Sequence, residues 1–102
     1  MKLTVLGALV LGAVAIGGAA GAGPIERACL SSARAGGNGN LCGCIQKVAD
    51  ITLAGTDQRL VAQFFANPDK AEKVRMQHSA TADAFWQRYT VFGQQAEMAC
   101  QG

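Results

Sequence analysis

Four cysteines, Cys29, Cys42, Cys44 and Cys100, constrain this chain more than any other feature, and all of them follow a long uncharged opening. Residues 1–22 read Met-Lys, then a run from Leu3 to Ile16 without a charge, then Gly17-Gly18-Ala19-Ala20-Gly21-Ala22. Lys2 supplies a short positive n-region, and the run has the length of a signal h-region. Ala20-Gly21-Ala22 fits the small-residue cleavage rule, with Gly18-Ala19-Ala20 as a second option. We read 1–22 as a secretory signal removed on export. The alternative is an uncleaved anchor, because a span needs ~20 apolar residues and Leu3 to Ala22 just supplies them. Against the anchor, Gly and Ala fill the second half and no basic cluster follows. Glu26-Arg27-Ala28 ahead of Cys29 does not read as a lipobox. The expected location is therefore the periplasm or the exterior, with membrane contact only if the leader stays attached.

Residues 23–102 then form one small domain whose core needs help. An even number of cysteines in a short exported chain reads as a disulfide framework. Within a helix, Cys42 and Cys44 stand about 200° apart in rotation, which disfavours a bond between them. The same divergence lets one segment bridge to two others. Cys29 and Cys100 are thus each expected to pair with one of Cys42 and Cys44, and spacing does not choose between the two arrangements. The rival use of Cys42-Gly43-Cys44 is a thiol pair that binds a soft ion such as Cu(I) or cycles as a redox carrier. No second C-x-x-C pair is present to complete a zinc pattern.

The pattern beyond the leader is helical. Pro24 followed by Glu26 opens a segment to Ala35, and Gly36-Gly37-Asn38-Gly39-Asn40 breaks it. Leu41, Ile45, Val48 and Thr52 recur at helical spacing in a second segment from about 41 to 54. Gly55 is expected to end that helix, and Thr56 or Asp57 to cap the next, which carries Leu60, Val61, Phe64 and Phe65. Asn67-Pro68-Asp69 is a strong start signal for a polar fourth helix to about Gln77. A last helix begins near Ser79 or Thr81 and runs to about Cys100, with Phe85, Tyr89, Phe92, Ala96 and Ala99 along one side. Gly93 in that helix could admit a close neighbour. No alternating strand pattern or internal repeat is present. The expected fold is all-α: four to five short helices in a small bundle stapled by two disulfides.

Several function classes are excluded or disfavoured by charge and motif. Without Lys2 the remaining eight basic residues meet seven acidic ones, far from the basic footprint of a nucleic-acid binder. Gly37-x-Gly39-x-x-x-Gly43 lacks the strand and βαβ setting of a phosphate loop and reads as an interhelix loop. His78 is the only histidine and no nucleophile–base–orienter set is readable, which argues against an enzyme. Lys70, Lys73 and Arg75 read as a solvated face, paired locally as Asp69–Lys73 and Glu72–Arg75. The six aromatic residues suffice for a small core, and Trp86 beside Phe85 is the one suspected of lining a surface groove.

Leu41-Cys42-Gly43-Cys44-Ile45-Gln46, Asp57-Gln58-Arg59, Phe64-Phe65-Ala66-Asn67-Pro68, Phe85-Trp86-Gln87-Arg88-Tyr89 and Cys100 together resemble a group of small, functionally uncharacterised exported bacterial proteins often labelled arginine transporters. The resemblance spans nearly all of the chain after the leader. It implies an export signal and the four-cysteine layout, and no mechanism or site residues. A secondary transporter needs several spans, and this chain has one candidate span. An arginine-binding accessory would need carboxylates set for a guanidinium, drawn from Asp50, Asp57, Asp69, Glu72, Asp83 and Glu97. Three functions are therefore expected in order. The first is a non-enzymatic binding or interaction domain with no cofactor, its partner an envelope protein or small ligand. A Cys42/Cys44 metal or redox carrier comes second, and a binder of basic amino acids third.

Overall fold

The computed structural model describes residues 23–32 and 38–100. The signal-peptide reading of 1–22 lies outside these residues. Five helices follow in order: α1 (Pro24–Leu30), α2 (Gly39–Thr52), α3 (Gly55–Ala66), α4 (Pro68–Arg75) and α5 (Ala80–Ala99). No strand occurs among the described residues, and none of their helices is long and apolar enough to cross a membrane. The fold is a small all-α bundle closed by two disulfides, Cys29–Cys42 and Cys44–Cys100.

Local chemistry sets most helix ends, with several shifts from the sequence expectation. Pro24 occupies the first position of α1, where its missing N–H costs nothing. The helix stops at Leu30, short of the expected Ala35. The Ser31 and Ser32 amides turn back to the carbonyls of Arg27 and Cys29, as serines favouring turns over helix interiors do. α2 starts at Gly39, two residues early, because the Asn38 side chain accepts from the Leu41 amide and caps it. Gly39 and Gly43 are therefore helical and not part of a loop.

Gly55 does not terminate α2. Leu53 is the C-cap and Ala54 the N-cap of α3, so Gly55 opens the next helix. Neither Thr56 nor Asp57 caps α3; the Asp57 carboxylate is committed to Arg88. Asn67-Pro68-Asp69 does start α4, although Asn67 accepts the Lys70 amide through its backbone carbonyl and makes no side-chain cap. Ser79 caps α5 by accepting the Ala82 amide. His78, in the preceding turn, takes φ 51°; histidine is among the residues that enter this left-handed region more readily than most.

Packing is set by one continuous core. α1 lies on α2 and α3, α2 on α5, and α4 on both α3 and α5. Ile25, Leu53, Val61, Phe64, Phe85 and Phe92 are its main buried side chains. Burying each from water is worth about 1.5–3 kcal/mol. The face that α2 turns inward differs from expectation. Cys42, Gln46, Val48 and Ala49 are buried, whereas Leu41, Ile45 and Thr52 are half-buried. A disulfide at Cys42 and a polar network at Gln46 draw that side towards α1 and α3. On α5, Phe85 and Phe92 are buried and Tyr89 and Ala96 half-buried as the spacing implies, but Ala99 is exposed.

Gly93 is not a contact point. A Cβ built there would meet nothing within 4 Å, so the residue only carries the conformational cost of glycine inside a helix. Gly93→Ala is expected to raise stability by about 1 kcal/mol, read as a higher urea midpoint with an unchanged slope.

Candidate functional site

The four sulfurs are all consumed in bonds, and among the described residues no free cysteine remains. Cys29–Cys42 joins α1 to α2 across a sequence separation of 13, and Cys44–Cys100 joins α2 to the end of α5 across 56. Cys42 and Cys44 thus bridge in opposite directions, as their rotational divergence on α2 requires. The two bonds sit in different surroundings. Cys29 and Cys42 are 1% and 0% exposed, while Cys44 and Cys100 are both half-buried at the surface. No group of three or more metal-ligating side chains occurs among the described residues.

A second centre is polar and was not read from the sequence. Gln46, 4% exposed, accepts through Oε1 from the amides of Ile25 and Glu26, both at 2.9 Å. Its Nε2 donates to Asp50 Oδ1 at 2.8 Å and Gln58 Oε1 at 2.7 Å. Gln58 in turn donates to Asp50 Oδ1 and to the Leu53 carbonyl. One side chain of α2 therefore caps α1 from outside and ties it to α3. Gly23 is pressed against the same amide: a Cβ there would collide with Gln46 Cδ. Every buried side-chain N or O among the described residues has a partner, so the network is complete as it stands.

Asp57, in the first turn of α3, meets Arg88 of α5 in a two-point ion pair, Nε to Oδ2 at 2.6 Å and Nη2 to Oδ1 at 3.2 Å. Hydrogen bonding to that carboxylate pushes the Arg88 guanidinium above its ordinary value; desolvation opposes the rise and the carboxylate charge adds to it. Asp57 is the buried carboxylate of the described residues, and its guanidinium partner is internal. Asp50 is likewise engaged by Gln46 and Gln58. On α4, Glu72 pairs with Arg75, whereas Asp69 and Lys73 do not close into an ion pair.

An aromatic cleft lies between α3 and α5. Val61, Phe64 and Phe65 form one wall and Tyr89 and Phe92 the other, around a volume of about 120 Å³. Phe64 makes edge-on contacts with Phe85 and Tyr89, at centroid distances of 6.0 and 5.4 Å. Such geometry sets the positive ring edge against a negative face. Phe65 and Tyr89 are half-buried and present apolar surface at the mouth. Trp86 does not line this cleft; it stacks obliquely on Tyr89 at 5.0 Å and reaches the cleft through that ring. Sequence spacing placed Phe64, Phe65, Tyr89 and Phe92 on core-facing sides, which concealed the partial exposure of Phe65 and Tyr89. A larger concavity of about 430 Å³ borders Asp69, Glu72, Lys73, Met76 and Gln77. Among the described residues its walls all belong to α4 and the turn after it. His78 is exposed in the turn between α4 and α5.

Comparison with known proteins finds no matching family, curated protein or solved structure. The architecture defines a disulfide-stapled small helical domain.

Proposed function

We propose that this chain is a non-enzymatic binding domain of the bacterial envelope that works by contact with another protein. Its docking point is the cleft between α3 and α5. The observation that carries this reading is the cleft itself, a notch walled by aromatic side chains, two of them half-buried. Its size favours a protein partner over a free metabolite. Pockets that enclose a small molecule typically run to about 300–1,000 Å³, whereas a notch of about 120 Å³ suits one anchoring apolar side chain of a larger surface. Two disulfides fit an oxidising compartment, and the composition of residues 1–22 supports export to the periplasm. A guanidinium ligand is less well served, because Asp57 already holds Arg88 and Asp50 is engaged by two glutamines.

The test is a nuclear magnetic resonance titration of the oxidised protein with N-acetyl-phenylalaninamide and, separately, with arginine. The aromatic amide is expected to shift signals of Val61, Phe65, Tyr89 and Phe92, and a Phe65→Ala variant to weaken those shifts by about tenfold, the scale of one well-packed anchor contact. Arginine is expected to leave them unmoved. Saturable shifts centred on Asp50 and Asp57 with arginine, and none in the cleft with the amide, would replace this reading with a basic-amino-acid binder.

A further inference from the structure

We infer that the Cys44–Cys100 bond is a thiol–disulfide exchange site, opened by a thiol or dithiol of its compartment while Cys29–Cys42 stays closed. This stands independently of what the cleft binds. An attacking thiolate must reach a sulfur along the S–S axis, so access decides which bond reacts. Cys29 and Cys42 are sealed at 1% and 0% exposure, beneath the packing of α1 on α2. Exposing them requires those helices to part, which uncovers Ile25 and breaks the bonds of Gln46 to the α1 amides. Cys44 and Cys100 are half-buried already. Cys100 is the C-cap of α5, and it follows Glu97, Met98 and Ala99, all exposed. Fraying of one terminal turn is the cheapest kind of opening a folded protein makes.

Access also gives the exchange a direction. Cys100 is carried on the terminal turn of α5 beside exposed Met98 and Ala99, whereas Cys44 is held inside α2, beyond its first turn, with its Sγ 3.5 Å from the Ala99 carbonyl oxygen. Fraying of that turn therefore brings the incoming thiolate to Cys100 first, and Cys44 is the leaving group. An incoming thiolate forms a bond to Cys100 Sγ as the Sγ–Sγ bond breaks, and Cys44 departs with the electron pair and takes a proton from water. Where the attacker is a dithiol, its second thiolate then displaces Cys100. The dithiol leaves as a disulfide, and the protein gains two electrons and two protons. The product keeps α1 bound to α2 while the last turn of α5 is released from α2.

Brief exposure of the oxidised chain to reduced glutathione under native conditions, followed by acid quench, alkylation and peptide mapping, tests this. The earliest products should carry glutathione on Cys100 and the alkyl group on Cys44, exceeding modification of Cys29 and Cys42 by about tenfold or more, as expected for local against global opening. Glutathione found first on Cys44 would overturn the assigned direction. Early modification of Cys29 or Cys42, or simultaneous modification of all four sulfurs, would overturn the site. Circular dichroism of the same samples should retain helical signal at that stage.

Discussion

Replacing Cys44 and Cys100 together by alanine is expected to lower the unfolding free energy by about 4 kcal/mol. The bond closes a separation of 56 residues, and the chain-entropy relation converts a loop of that length into about 4 kcal/mol of stabilisation, against about 3 kcal/mol for the 13-residue loop closed by Cys29–Cys42. Domains have margins of only about 5–15 kcal/mol, and one this small sits near the bottom of that range. The Cys44→Ala/Cys100→Ala variant should therefore stay folded at 25 °C with a margin of only about 1 kcal/mol. Replacing Cys29 and Cys42 removes less loop entropy but also removes buried sulfur from the α1–α2 contact, which narrows the gap. Urea unfolding of the two double variants checks the ranking. A loss under about 1 kcal/mol on removing Cys44–Cys100 would contradict the loop-entropy account. The consequence for the exchange site is pointed, because the more accessible bond is also the one with the longer loop.

Gln46→Leu is expected to cost about 3 kcal/mol. The substitution keeps the volume and removes every hydrogen bond of the side chain. The Ile25 amide and Gln58 Oε1 are then left in buried positions without partners, and each such orphan costs about 1–3 kcal/mol. Leucine gains some apolar burial in return, which holds the net loss in the lower half of that sum. With a urea slope of about 1 kcal/mol/M for so small a domain, the midpoint should fall by about 3 M. Helical signal from α1 should be lost ahead of the rest. An unchanged midpoint would mean that α1 is held by Cys29–Cys42 alone and that the network is incidental. Gln46→Glu offers a useful contrast: it still accepts from the two α1 amides but sets a carboxylate oxygen against Asp50 and Gln58 in place of a donor. Its stability should fall as well, which separates the coupling of α2 to α3 from the capping of α1.

Features that act over a few residues were legible in the sequence. Pro24 and Pro68 begin helices because their fixed φ suits a first turn, and Ser79 caps α5 through its own hydroxyl. The spacing of Phe85, Tyr89 and Phe92 places them on one side of α5 because helical rotation alone determines it. An expected cap failed where a distant group competed for the side chain. Asp57 had the composition of a cap, but a bidentate bond to Arg88 outweighs a single backbone N–H. Gln46 carried no signal at all: a lone glutamine in a helical run reads as solvated surface until α1 is laid across it. Gly93 resembled a close-approach site because glycine permits one, yet permission does not supply a neighbour.

The sequence by itself determined that this is an all-α chain whose four sulfurs read as a disulfide framework, and that Cys42 and Cys44 face apart on one helix. Those are consequences of helical period, compositional bias and covalent reach. Only the tertiary structure decided that Cys29 takes Cys42 and Cys100 takes Cys44, that one bond is sealed and the other accessible, and that α3 and α5 leave an aromatic notch between them. Each of these depends on how separate helices lie against one another, and that is settled by the summed packing of the whole core, which no local stretch of sequence contains.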